Sequence, residues 1–168
     1  LPSPVGGIID MAVDMTHREL VVLGDDGLAV IDFDDGNIRA YDQQATPSGL
    51  RSVATNATGG VHAVAADCLY TRLAGDAVAW TKLAGCNANT FPITATAEVL
   101  TMEIIGQYVY VSMAEEGVIR YDTASSTSSV WSSANVLHSD QVTAIVEMGS
   151  QILFGSEDAG VARYNPSL

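Results

Sequence analysis

Lysine is almost missing from this 168-residue chain: Lys82 stands alone, and basic side chains number 7 against 20 acidic ones, a formal charge of −13. So acidic a surface is repelled by phosphate backbones and anionic lipid, which argues against nucleic acid and membrane surfaces as partners. Cysteine is nearly as scarce. Cys68 and Cys86 are too few for a disulfide scaffold and wrongly spaced for a zinc knuckle. No apolar run approaches the ~18 to 20 residues that a membrane-spanning helix needs, and the N-terminus has no signal-peptide pattern. The first residue, Leu1 rather than Met, reads as that of a processed or excised chain. Amphipathic helix patterning is absent too. Nucleophile-elbow, zinc-helix and phosphate-loop motifs are all missing, and His17, His62 and His138 are too dispersed to share one substrate or metal.

What is present points to a folded all-β chain. Hydrophobic residues make up 48% and charged ones 16%, a balance that separates it from disordered sequences. At this length roughly two thirds of the unfolded surface can be buried. The β-branched and aromatic residues cluster in short runs broken by Gly, Ser, Asn and Asp, the pattern of strands and tight turns.

These runs repeat. Ala114-Glu115-Glu116-Gly117-Val118-Ile119-Arg120-Tyr121-Asp122 is matched by Gly24-Asp25-Asp26-Gly27-Leu28-Ala29-Val30-Ile31-Asp32 and, with one residue inserted, by Ser156-Glu157-Asp158-Ala159-Gly160-Val161-Ala162-Arg163-Tyr164-Asn165. Ala65-Ala66-Asp67-Cys68-Leu69-Tyr70-Thr71-Arg72 is a degenerate fourth copy with cysteine in the glycine position. The aligned turn residues Gly27, Cys68, Gly117 and Gly160 are 41, 49 and 43 residues apart. A period of ~40 to 50 residues with four short strands per unit is that of propeller blades. Strands are expected over 8–13, 19–23, 28–33 and 37–41; 50–55, 61–65, 69–73 and 77–83; 99–104, 108–113, 118–121 and 128–131; and 142–147, 151–155 and 161–164. The fourth unit therefore lacks its outer strand. Approximate blades are 1–45, 46–92, 93–136 and 137–168, forming a single propeller-type domain or fragment.

Gln141-Val142-Thr143-Ala144-Ile145, Glu116-Gly117-Val118-Ile119-Arg120-Tyr121-Asp122 and Gly160-Val161-Ala162-Arg163-Tyr164-Asn165 resemble the β-propeller repeats of two-component-regulator and other sensor proteins. The loose consensus of those repeats runs from a Val-Thr-Ala-Ile-type inner strand through an acidic-Gly turn to an Arg-Tyr-Asp-type third strand. The resemblance implies a β-propeller-type array of about four blades within a larger propeller. A small closed four-bladed ring and an arc completed by a second copy are the other arrangements open to it. The Trp-Asp signature of WD40 repeats is absent, and the Gly-Gly pairs do not fall at kelch phase.

In such blades the innermost strand lines the axis, and Asp10, Arg51, Thr101 and Thr143 are read as equivalent positions there. A carboxylate, a guanidinium and two hydroxyls would bind a small polar ligand at the channel mouth, or form a structural ion pair with water around it. The turns place Asp25, Asp26, Asp67, Glu115, Glu116, Glu157 and Asp158 on one rim. There they would hold Ca2+ or recruit a cationic partner, or only supply local turn hydrogen bonds. Asp32-Phe33-Asp34-Asp35-Gly36-Asn37 has the oxygens of a calcium loop but the wrong glycine phase and no closing acid, and a hairpin turn explains it better. Cys68 and Cys86 lie at ends of neighbouring strands on the same rim, so a disulfide is open to them in an oxidising compartment. Tyr41, Trp80 and Trp131 share the outer strand, where an aromatic packs on the next blade or linker. Asn56-Ala57-Thr58 matches a glycosylation sequon.

The expectation is a non-catalytic binding or sensory module, extracytoplasmic or secreted. It would meet a small polar ligand or a protein, need no cofactor beyond a potential Ca2+, and be able to form a homodimer through exposed terminal blades. Alternatives are a segment of a propeller hydrolase or lyase, or a calcium-stabilised adhesive scaffold.

Overall fold

Runs of residues rich in Val, Ile, Leu and Tyr, stopped by Asp, Gly or Ser clusters, form short antiparallel strands. A computed structural model describes residues 5–42, 49–65, 68–72, 80–83, 91–93 and 96–166. Among them are fifteen strands and no helix, so no helix that could cross a membrane.

The strands form four separate antiparallel meanders. The first sheet comprises β1 (Ile8–Asp14), β2 (Glu19–Gly24), β3 (Gly27–Asp32) and β4 (Ile38–Asp42). The second comprises β5 (Leu50–Thr55), β6 (Val61–Ala65), β7 (Leu69–Arg72) and β8 (Thr81–Lys82). The third comprises β9 (Val99–Ile105), β10 (Tyr108–Met113), β11 (Gly117–Asp122) and β12 (Thr127–Trp131). The fourth has three strands, β13 (Val142–Met148), β14 (Gln151–Ser156) and β15 (Gly160–Tyr164). β5, β6 and β10 coincide with the expected spans. The others differ by a residue or so at their ends, except β8, whose expected N-terminal half lies outside the described residues.

The acidic-Gly turns work as the repeat requires. Gly27, Gly117 and Gly160 all have positive φ, a conformation open to glycine and strained for other residues. In the second sheet residues 66–67 of the corresponding turn lie outside the described residues.

The innermost strands carry a feature that periodicity did not show. Ile8 and Asp10 pair with the adjacent residues Gly24 and Leu23, leaving Ile9 as an extra residue. The same break falls at Arg51 between Leu50 and Ser52, at Leu100 between Val99 and Thr101, and at Thr143 between Val142 and Ala144. Each is a β-bulge, which bends the strand and offsets every later side chain from a regular two-residue count.

Two compact units divide the chain, Leu1–Ala84 and Gly85–Leu168. In the first, Ala12, Val21, Leu23, Leu28 and Val30 of one sheet pack on Leu50, Val53, Val61, Ala63 and Ala65 of the next, with Tyr70 and Trp80 at the margin. In the second, Tyr110, Val118 and Trp131 pack on Val142, Ile145, Ile152, Phe154 and Ala162. Trp131 stacks at 5.7 to 5.8 Å from Tyr110 and Phe154 and at 4.6 Å from Tyr164. It thus packs on the following sheet, as expected of an outer-strand aromatic. The side chain of Tyr41 lies outside the described residues.

Candidate functional site

The inner-strand residues proposed as a polar column do not share one position. Because of the bulges, Asp10 is equivalent to Ser52, Thr101 and Ala144, whereas Arg51 is equivalent to Ile9, Leu100 and Thr143. A one-residue offset puts the two sets on different faces. Within the first unit, Asp10 is engaged in holding two sheets together. Its Oδ2 accepts the Ser52 hydroxyl at 2.5 Å and the Val53 N–H at 3.0 Å, and its Oδ1 accepts the Met11 N–H at 2.8 Å.

The calcium-like loop is a hairpin turn. Asp32 is buried and accepts the Asp34 N–H at 2.6 Å; Asp35 accepts the Asn37 N–H; Asp34 pairs with Arg18 at 2.6 Å. The turn carboxylates Asp25, Asp26, Glu115, Glu116, Glu157 and Asp158 are all exposed. Among the described residues no three His, Cys, Asp or Glu side chains converge as a metal would require. Asp67 lies outside those residues, as does Cys86. Cys68 is buried and disulfide-bonded.

The three histidines differ. His17, in the β1–β2 turn, bonds through Nδ1 to Asp14 Oδ2 at 2.8 Å, above Gly59 of the β5–β6 turn. A Cβ on Gly59, whose φ is +79°, would overlap the imidazole, so this position needs glycine twice over. Burial alone would raise the Asp14 pKa. The hydrogen bonds from His17 and from the Thr16 and His17 backbone outweigh it and hold the carboxyl below its usual range. His62, on β6, is buried, and burial lowers its pKa to about 4. The amide of Asn56, in the sequon, donates to His62 Nε2 at 3.4 Å and accepts from Thr58 and Gly60.

His138 lines a pocket. A pocket of about 390 Å³ in the second unit is lined by Glu115, Ser133, His138, Ser139, Asp140, Gln141 and Asp158. Three loops build it: the β10–β11 turn, the β12–β13 linker and the β14–β15 turn. Backbone bonds tie them together, from the Gly117 N–H to the Asp140 carbonyl at 3.2 Å and from the Glu157 N–H to the Gln141 carbonyl at 3.3 Å. Gly117 has φ +83°, and a Cβ there would strike the Trp131 carbonyl, so glycine brings the turn close to the linker. Asp140 is clamped by Ser133, whose N–H reaches Oδ1 at 2.6 Å and whose hydroxyl reaches Oδ2 at 2.9 Å. Buried Ser139 accepts the Gln141 N–H at 2.9 Å. Glu115 and Asp158 make no ion pair among the described residues. The pocket thus offers three carboxylates with no ion pair among the described residues, two of them outside the Ser133 clamp, with an imidazole, an amide and hydroxyls on a braced floor. Glu115 and Asp158 belonged to the expected acidic rim. Ser133, Asp140 and Gln141 did not.

Repeated antiparallel meanders with a bulged inner strand and an acidic-Gly turn define a β-propeller-type array of four blades, the last lacking its outer strand. Solved structures agree. The extracellular domain of the putative hybrid two-component system BT4673 from B. thetaiotaomicron is similar over 95% of this chain and 21% of its own, with a TM-score of 0.64 and 20% identity. YCF48 bound to a D1 peptide is similar over 97% of this chain and 52% of its own, with a TM-score of 0.73 and 9% identity. The computationally designed Ika4 protein is similar over 98% of this chain and 94% of its own, with a TM-score of 0.63 and 15% identity. The chain therefore spans nearly all of one neighbour, half of another and a fifth of a third. No protein-family model matches the sequence, and no curated protein does.

Proposed function

We propose that this chain is a non-catalytic recognition module of a sensor-type propeller, working outside the cytoplasm, and that the loop pocket of its second unit takes a small polar ligand bearing a cationic group. The pocket carries this reading: about 390 Å³ is within the size range of small-molecule sites, and it is built from loops on a sheet scaffold. Glu115 and Asp158 supply charge for an ammonium or guanidinium, and His138 and Gln141 supply directional hydrogen bonds. An extracytoplasmic setting draws support from the disulfide at Cys68 and from the likeness to an extracellular sensor domain.

Calorimetric titration with arginine, putrescine, N-acetylglucosamine and citrate tests the proposal. The two cations are expected to bind, to weaken with added salt, and to lose about tenfold in affinity in the Glu115→Gln/Asp158→Asn double variant, the loss of one charge-assisted contact or so. Cation binding left unchanged by that double variant, or no cation binding at all, would overturn it. A rise in melting temperature with Ca2+ that the same variant abolishes would favour the calcium-stabilised scaffold instead.

A further inference from the structure

Every blade has two faces, and within each unit one kind of face meets the other. Blade 1 (β1–β4) turns Ala12, Val21, Leu23, Leu28 and Val30 toward blade 2 (β5–β8), which answers with Val53, Val61, Ala63 and Ala65. Blade 3 (β9–β12) turns Tyr110, Val118 and Trp131 toward blade 4 (β13–β15), which answers with Ile145, Ile152, Phe154 and Ala162. Cross-strand register makes the answering residues equivalent: Met11, Val53 and Ile145 occupy one position, and Ala12, Ala54 and Val146 the next.

One face of each kind has large apolar side chains exposed, on the first blade and on the last. On blade 1 the answering face is exposed along its inner strand, with Met11, Val13 and the bulged Ile9 46 to 54% exposed. Val5 covers Val22 and Ala29 there, with Leu20 and Ile31 half-buried beside them. On blade 4 it is the presenting face that is bare, with Val146, Met148 and Val161 54 to 62% exposed and Leu153 half-buried among them. Position by position, exposed Met11 matches buried Ile145, and exposed Val161 matches buried Leu28 and Val118. Arg163 on the blade 4 face matches Arg120, which lies 3.6 Å over the Tyr108 ring in the blade 3–blade 4 junction. The outer face of a chain with 20 acids is expected to repel its own copy. Among the described strands β1–β3 and β13–β15, however, neither bare face carries a carboxylate.

We propose that a second copy of this chain covers both, blade 1 of each packing against blade 4 of the other, so that the blade-to-blade junction already made twice within the chain is made twice more between chains. One chain holds both halves of the contact, which is what head-to-tail association requires. Two copies supply about eight blades, the upper end of the common propeller range of four to eight.

Light scattering of the full chain over a concentration series tests this. The expected result is a discrete dimer, with twice the 17.6 kDa mass of one chain. Met11→Asp and Val146→Asp are each expected to yield monomers with the parent circular dichroism, since both side chains are exposed in the single chain. Mixed together, they should associate again, because the mixed pair keeps one junction with neither substitution. A monomeric parent chain, dissociation by only one of the two variants, or a mixture with no association would each overturn the proposal.

Discussion

The junctions inside the two units have the same repeat geometry but are closed by different chemistry. In the first unit the packed side chains are small aliphatics, and side chains cross the gap to fix the alignment. Asp10 reaches Ser52 and Val53, Thr55 donates to the Val13 carbonyl at 2.7 Å, and Thr16 donates to the Ala57 carbonyl at 2.9 Å. In the second unit four aromatic rings fill the gap, and Ser112 donates to the Val142 carbonyl at 2.5 Å. Large rings supply area and edge-to-face contacts worth about 0.5–1.5 kcal/mol per pair beyond burial. Small side chains leave orientation underdetermined, and hydrogen bonds of about 1 kcal/mol each supply it. Blade packing thus tolerates wide variation in sequence when either area or polar stapling is present.

Three experiments would break or sharpen that contrast. Trp131→Ala should have the largest effect, about 3–5 kcal/mol, because it empties the centre of the aromatic cluster. Amide hydrogen exchange should then accelerate across 99–164, and a loss spread equally over 8–72 would show that the aromatic cluster is not local.

Acid should act on the two units with opposite sign. Between pH 6.5 and about 4 an unfolded chain takes up a proton at His62 that the folded chain refuses, so the first unit loses stability as pH falls, by an amount of order 2–3 kcal/mol across the window. In the second unit, burial and then the nearby Glu147 charge raise the pKa of Glu103, so above 4.5 the folded chain holds a proton that the unfolded chain releases. Lowering the pH through that raised value therefore adds stability there. Exchange protection followed from pH 7 to 4.5 should fall in 50–72 and hold or rise in 99–148, and His62→Gln should flatten the first trend.

The smallest effect belongs to the staple. Asp10→Ala removes the acceptor of Ser52 and Val53 at a half-buried site and should cost about 1–2 kcal/mol in a denaturant melt. A neutral result would mean that the aliphatic packing aligns these blades unaided.

Strands and turns were legible because they follow from local rules. The β-branched and aromatic run Tyr108-Val109-Tyr110-Val111 and the Asp-Asp-Gly and Glu-Glu-Gly turns state their conformation within a few residues, as at β10, Gly27 and Gly117. The polar column failed for an equally local reason that leaves no mark in composition. One extra residue at Ile9, Arg51, Leu100 and Thr143 shifts phase, and a strand with a bulge reads much like a strand without one. For the pocket, Glu115 and Asp158 carried a signal through the repeat. The Ser133 clamp on Asp140 carried none, since it joins residues seven apart across a loop whose path depends on the packed blades.

By itself, then, the sequence determined an all-β repeat, its period, its acidic turns and the incomplete last blade, because hydrophobic alternation and turn chemistry act over a handful of residues. Only the tertiary structure decided which face each inner-strand residue occupies, that Asp10 staples two blades, and that three loops line an open polar pocket. Those outcomes depend on register and on contacts between residues far apart in the chain, where a shift of one position moves a side chain from one face of a sheet to the other.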